Sequence, residues 1–310
     1  MKCPFRASRL LPSLFLCLVL ELAYAQPGIV LETARSPRAQ ALGGNATALG
    51  GEPDLSWGNP AAPATDGARS LSVQGEVRFQ EDRGWYAHGS IGVSKTAFFL
   101  GVSGFSTGSI TTFAADGTPR TFVGQAEYLV SLGVTQAILQ TLRVGATVKY
   151  LRSELAEQFT SSAGLLDIGI HGEPFPMVQV GAVLANVGTS VRPLHDEIDM
   201  PMEARIGVAI LPLSSDTGPS PSPLVLADVV YLQGDRAWMG DIGVEYPVHP
   251  RLAVRFGAFH DLHRISNAGV TAGLGISYAR FDFAYAARYW GQSVGWMHGI
   301  ALTFSGKRSS

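Results

Sequence analysis

The sequence has little cysteine, little charge and no long apolar stretch beyond its first residues. Both cysteines, Cys3 and Cys17, lie within residues 1–25, so the rest of the chain has neither disulfides nor thiolate metal ligands. After residue 25 no segment approaches the run of about 18 apolar residues that a membrane-spanning helix needs. Acidic residues outnumber basic ones, 25 to 23. This balance argues against nucleic acid as a partner, because phosphate binding needs a basic face.

Residues 1–25 have the three parts of a secretory signal peptide. The segment starts with basic residues, continues with an apolar run over 10–22, and ends in the small residues of a cleavage site, Ala23-Tyr24-Ala25. We therefore predict that the chain is exported and begins at Gln26 after cleavage. A membrane anchor is the alternative, but a proline and a glutamate interrupt the apolar run.

Most of the remaining chain alternates apolar and polar residues with a period of two, which is typical of strands with one apolar face. Most of the alternating segments have the length that a tilted strand needs to cross the hydrocarbon layer, about 9 to 11 residues. About fourteen such segments in an exported, glycine-rich chain predict an all-β fold. We expect a transmembrane antiparallel β-barrel in the bacterial outer membrane, in contact with its lipid. The predicted strands are 69–79, 85–94, 97–106, 122–134, 142–151, 164–172, 177–185, 203–211, 223–232, 238–247, 251–259, 269–278, 280–288 and 294–304.

The connections differ in length between the two ends of this barrel. Long connections at 107–121, 152–163 and 186–202 follow odd-numbered strands, whereas short turns such as 173–176 follow even-numbered strands. Outer-membrane barrels have this asymmetry, so we predict extracellular long loops and periplasmic short turns. The Pro/Ser-rich loop 212–222 is the exception.

Aromatic residues cluster near the predicted strand ends, where they are expected to form girdles at the membrane interfaces. They are Trp85, Tyr86, Trp238, Tyr246, Tyr289, Trp290 and Trp296.

The polar faces of the strands carry charges of both signs, which we predict to point into the lumen. One interpretation makes them the lining of a channel or a ligand cavity. The other makes them cross-strand ion pairs and hydrogen bonds that fasten the interior. These residues are Glu76, Arg78, Arg143, Lys149, Asp167, Glu203, Arg205, Asp241, Glu245, Arg251, Arg255, Asp282 and Arg288.

The sequence has no recognisable catalytic or cofactor motif. No serine lies in a nucleophile motif, and no glycine-rich turn opens a helix. His260 and His263 fall in a predicted loop, which disfavours a metal pair. The acidic segment 195–199 is interpreted as a solvated loop, with surface calcium as the alternative. We therefore predict no enzyme, no cofactor and no metal.

The segment GIVLETARSPRAQALGGNATALGGEPDLSWGNPAAPA, residues 28–64, resembles the start of the PorV/PorQ family of outer-membrane proteins. Later stretches are similar to that family too, namely FVGQAEYLVSLGV, LRVGATVKYLRSELAEQFTSSAGLLDIGI, VQVGAVLANVG and MPMEARIGVAI. The resemblance extends to about residue 232 and is weaker beyond. The family is related to FadL-type fourteen-stranded barrels, in which an N-terminal segment plugs the lumen.

The chain is thus expected to have four segments: a signal peptide at 1–25, a plug at 26–68, which the resemblance implies, the barrel at 69–305 and a tail at 306–310. Asn59, Pro60 and Ala61 would turn the chain from the lumen into the wall. The alternative for residues 26–68 is a flexible linker.

For function, the resemblance implies an accessory component of type IX protein secretion. Its partners would be secretion proteins or exported cargo that meet the long loops. The alternative is a FadL-like channel whose partner is a hydrophobic ligand, and a purely structural barrel is a third possibility.

Overall fold

The computed structural model describes residues 27–33, 36–44, 47–78, 81–114, 116–192, 197–211, 223–262, 268–291 and 295–306. Several predicted features lie outside these ranges. They are the signal peptide, loop 212–222, His263, the first two residues of 195–199 and the end of the tail at 307–310.

Fourteen strands close into one antiparallel barrel, as the sequence predicts. Each strand pairs with its neighbours in the sequence, and the first strand closes the barrel by pairing with the last. The closed sheet has no free edge, so the strands satisfy one another's backbone groups, as a membrane barrel requires. The strands are β1 Arg69–Val77, β2 Arg83–Val93, β3 Thr96–Ser106, β6 Gln125–Leu139, β7 Leu142–Leu155, β8 Phe159–Phe175, β9 Val178–Gly188, β10 Glu203–Ile210, β11 Leu224–Leu232, β12 Ala237–His249, β13 Leu252–Asp261, β14 Ala268–Tyr278, β15 Phe281–Tyr289 and β16 Trp296–Ser305.

The alternating pattern separates an apolar outer face from a polar lumen. In β1, Leu71 and Val73 are exposed on the outside, whereas Ser72 and Gln74 are buried inside. The outer face is thus apolar where a hydrocarbon layer would surround it. No helix among the described residues has the length and apolarity to cross a membrane.

The connections form two rims that differ in size. The loop rim has the connections 78–82, 107–124, 156–158, 189–202, 233–236, 262–267 and 290–295, and the turn rim has 94–95, 140–141, 176–177, 211–223, 250–251 and 279–280. The predicted long loop 152–163 is wrong, because β7 and β8 continue their pairing up to Leu155 and Phe159. Connection 107–124 contains a second, two-stranded sheet, β4 Ser109–Phe113 and β5 Pro119–Val123.

The aromatic girdle differs from the prediction at two residues. Trp85, Trp238 and Trp296 are exposed on the outer face near the loop rim. Tyr86 instead points inwards and is buried, and Trp290 packs against Phe259 with 5.1 Å between ring centroids. Adjacent residues of a strand point to opposite faces, so a Trp-Tyr pair cannot place both rings in one girdle.

The N-terminal segment fills the lumen. It has two short helices, α1 Ile29–Thr33 and α2 Pro37–Ala41, and a 3-10 helix, Pro53–Trp57. α1 contacts β3 and β6, and α2 contacts β13 to β16, so the segment crosses from one wall to the other. We call residues 27–68 the plug.

Candidate functional site: the plugged lumen

The plug begins at the loop rim, where one buried carboxylate binds it. The backbone amides of Gly28 and Val30 donate to the two carboxylate oxygens of Glu127, at 2.6 and 2.8 Å. The side-chain amide of Gln125 also donates to Glu127, at 2.9 Å. Val30 is buried beside Met200 of connection 189–202. This carboxylate therefore anchors the start of the plug under the loops.

Helix α2 is held to the opposite wall by charged groups that the alternating pattern assigns to the lumen. Arg38 donates two hydrogen bonds to Glu245, both of 2.8 Å, and Arg255 donates to the same carboxylate at 2.6 Å. Gln40 donates to Glu76 at 2.8 Å, and Glu76 forms an ion pair with Arg78. These wall charges contact the plug directly.

The Asn59-Pro60-Ala61 turn lies inside the lumen against β6, β7 and β8. The Asn59 side chain accepts a hydrogen bond from Ala61 N (2.9 Å) and donates to Thr47 O (2.7 Å) and Ile170 O (3.0 Å). Thr135 of β6 donates to Pro60 O at 2.7 Å. The turn therefore joins two parts of the plug to the wall, and the chain continues to residue 68 before β1 begins.

Wall glycines let the plug backbone lie against the strands. A Cβ atom at Gly181 of β9 would overlap the carbonyl oxygen of Thr47, and one at Gly145 of β7 would overlap that of Pro60. A side chain in either place would therefore push the plug off the wall.

Three other predicted lumen charges, Lys149, Asp167 and Arg143, hold connections or the plug in place. Lys149 pairs with Asp167, and both contact Asn186, which donates to Pro201 O at 2.9 Å. At the turn rim, Arg143 donates to Nδ1 of His171 at 2.9 Å. His171 Nε2 therefore donates to the plug carbonyl of Ala48, at 3.1 Å.

The remaining predicted charges lie at other places on the wall. Arg205 lies 3.6 Å from Glu203 within β10. Asp282 accepts a hydrogen bond from Ser277 beside the turn rim. The prediction for Arg251 is wrong, because it is exposed in turn 250–251. Arg251 directly precedes Leu252, the first residue of β13, and so lies outside the alternating segment.

A small chamber remains open above the plug, near the loop rim. Its volume is about 150 Å³. Its apolar lining residues include Val230, Met239 and Trp290. They are interspersed with the predicted charges Arg78, Glu203, Asp241 and Arg288, and Glu32 of α1 also lines the chamber. The guanidinium carbon of Arg288 lies 3.9 Å from the ring centroid of Phe259 and 4.3 Å from that of Trp290.

Three contacts to the plug were missed at the sequence level, although alternation places each residue in the lumen. Glu127 and Asp228 interrupt apolar strands with a charge, and Asp228 accepts a hydrogen bond from Thr47 N at 3.3 Å. Ser56 Oγ and His88 Nε2 lie 2.9 Å apart. This Ser-His pair is buried beside Trp57 and so fastens the plug rather than facing a substrate.

His260, predicted to lie in a loop, is instead part of β13. Within the described ranges, no group of three His, Cys, Asp or Glu residues is arranged to hold a metal ion.

Comparisons with known proteins relate the chain to outer-membrane barrels through structure alone. No family model matches the sequence, and no curated protein is detectably similar to it. The toluene transporter TodX from P. putida superposes with a TM-score of 0.64 at 13% identity, covering 90% of this chain and 100% of that one. The Ralstonia pickettii toluene transporter TbuX gives 0.62 at 14% identity, covering 90% and 99%.

A Pseudomonas aeruginosa FadL homologue gives a TM-score of 0.52 at 12% identity, covering 87% of this chain and 97% of that one. At these identities the likeness concerns the fold. The protein therefore has the FadL-like barrel fold and belongs in the bacterial outer membrane.

Proposed function

We propose that the protein is a plugged outer-membrane channel for hydrophobic small molecules. The observation that carries this proposal is the FadL-like plugged barrel, which superposes on two toluene transporters over 90% of the chain. In this proposal residues 1–25 direct export, 26–68 form the plug, 69–305 form the barrel and 306–310 are a tail. The fold neighbours are transporters, which agrees with a channel rather than an enzyme.

The chamber near the loop rim supports a small apolar ligand. Its volume of about 150 Å³ equals that of engineered apolar cavities that bind benzene. Val230, Met239 and Trp290 supply apolar surface for the ring, and the charged residues of the lining lie beside them. A single aromatic ring therefore fits the chamber, and a long acyl chain would require the plug to move.

The proposal is tested by uptake of toluene into cells that express the protein in an intact outer membrane. Val230→Phe should fill the chamber and reduce the uptake rate, because Val230 is buried and lines the chamber. Val225→Phe on the same strand is the matched control, since Val225 is exposed on the outer face. Uptake no faster than in cells without the protein would overturn the proposal.

The secretion hypothesis receives no support from the comparisons. Of the three loops expected to meet cargo, 152–163 is mostly strand, which reduces the surface that the hypothesis assigned to partners. Affinity purification of the detergent-extracted protein separates the two functions. Recovery of type IX secretion subunits would favour the accessory role over the channel.

A further inference from the structure

We propose that a groove on the outer face of the barrel binds one anionic lipid, whose headgroup phosphate keeps a net negative charge, from the leaflet next to the loop rim. The groove spans β8 to β12 and has a volume of about 410 Å³, within the range of ligand pockets. Its floor is formed by two small residues between larger ones. The floor residues are Ala182 and Ala204, and the flanking residues are Ile168, Ile170, Ile206 and Trp238.

A bulge in β9 accompanies this concave surface. The pairing of β8 with β9 shifts register between Leu166 and Ile168, where two residues of β9, Ala185 and Asn186, face one residue of β8. Asn186 has a φ of 59°, and such bulges bend the strand and increase its twist. The groove therefore lies where the wall bends.

On the lumen side of the wall, hydrogen bonds hold the bulge in its conformation. Asp167 accepts a hydrogen bond from the backbone amide of Asn186 at 2.8 Å, and Lys149 donates to the Asn186 side chain at 2.9 Å. Asn186 also donates to Pro201 O at 2.9 Å. Because these groups are buried and satisfy one another, the groove is preformed and should bind without rearranging the wall.

The position of the groove identifies an acyl chain as its occupant. The large side chains that surround it on the membrane-facing side, such as Ile168, Ile206 and Trp238, are apolar and exposed. Arg205 also lines the groove, but it is buried in the wall and pairs with Glu203. Hydrocarbon chains are as apolar as these side chains, so burial alone gives no preference for one lipid over another. Selection must come from the headgroup.

Arg236 is suited to bind that headgroup. It is exposed in connection 233–236, two residues before Trp238, which lines the groove. Two residues span at most about 7 Å, so the backbone of the arginine lies close to Trp238 at the rim above the groove. Its long side chain can reach the membrane interface from there. Its neighbour Asp235 lines the chamber inside the barrel, on the other side of the wall. A phosphate at the interface thus has Arg236 as a cationic partner.

The test compares two lipids with identical chains by native mass spectrometry of the folded, detergent-purified protein. Dioleoyl phosphatidylglycerol should be retained about fivefold more than dioleoyl phosphatidylcholine, because one basic residue near the surface contributes on that order. Arg236→Gln should abolish the difference. Ala182→Leu with Ala204→Leu should reduce retention of both lipids by filling the groove. Ala287→Leu, on the outer face of β15, should change neither.

A second measurement does not use the arginine and groove variants, so it tests lipid binding even where those variants fold poorly. Brominated phosphatidylglycerol should quench the fluorescence of Trp238, measured as the difference between the wild type and Trp238→Phe, and quenching by the zwitterionic analogue should be weaker. Equal retention of both lipids by the wild type would overturn the proposal. An undiminished preference in Arg236→Gln would overturn it too. Neither result depends on whether the barrel transports toluene.

Discussion

At the scale of single residues, Glu127 holds the start of the plug. It is fully buried and accepts the hydrogen bonds of two plug amides, Gly28 N and Val30 N. Glu127→Gln replaces an acceptor oxygen by an amino group and leaves one of these donors without a partner. We expect a loss of about 1–3 kcal/mol in the free energy that closes this part of the plug. Hydrogen exchange of the amides over 28–30 should accelerate accordingly.

Glu154→Gln is the matched control for this exchange experiment. Glu154 lies on the neighbouring strand β7, but it is partly exposed and pairs with Arg152 near the loop rim. Its loss should leave exchange at residues 28–30 unchanged, because exposed ion pairs contribute little. Equal acceleration in both variants would show that Glu127 does not anchor the plug.

Alternation predicts which way most residues point but not what they contact. The sequence predicts Glu76 and Glu245 in the lumen because each lies on the polar face of an alternating segment. Their partners on the plug were not predictable, since Arg38 and Glu245 are 207 residues apart in the chain. Tyr86 was misplaced because the girdle rule takes account of residue type and ignores the alternation.

At the scale of secondary-structure elements, the fit between plug and wall depends on glycine. Gly181→Ala places a methyl group where the carbonyl oxygen of Thr47 lies. We expect destabilisation of about 1–3 kcal/mol from overpacking, seen as a lower melting temperature and faster proteolysis of the plug.

Gly164→Ala serves as the comparison for that substitution. It lies on strand β8, and apart from Gly164 itself and the two adjacent residues no atom lies within 4 Å of the position that its methyl group would take. The variant should therefore melt like the wild type. If both variants melt alike, the plug does not depend on close approach to the wall at Gly181.

Strands were predictable within the hydrocarbon layer and less so beyond it. The segment 251–259 was predicted and β13 is Leu252–Asp261, because lipid imposes the period of two. Past the membrane this constraint ends: the pairs Arg152 with Ser162 and Ser153 with Ser161 belong to β7 and β8 but show no apolar face. The hairpin of β4 and β5 was missed for the same reason, since most of its residues are exposed on both faces.

At the scale of the whole molecule, wall and plug are separate structural units. The wall closes through hydrogen bonds between strands, from β1 paired with β2 to β1 paired with β16. None of these bonds involves the plug. The barrel should therefore keep its closure without the plug, while the inward charges would contact water instead of plug groups.

Deletion of residues 27–64 should turn the closed protein into an open pore. Barrels of about 8 strands are filled by their own side chains and those of 16 to 18 leave an aqueous channel. This wall of fourteen strands lies nearer the second group, and its lumen is lined by small and polar residues such as Gly145, Thr147 and Gly181. In planar bilayers the deletion variant should show stepwise ion conductance, and the full-length protein should stay closed. Deletion of the hairpin 109–123, which leaves the plug in place, should also stay closed. A folded deletion variant without conductance would mean that the wall collapses inwards, and that the plug holds the barrel open as well as filling it.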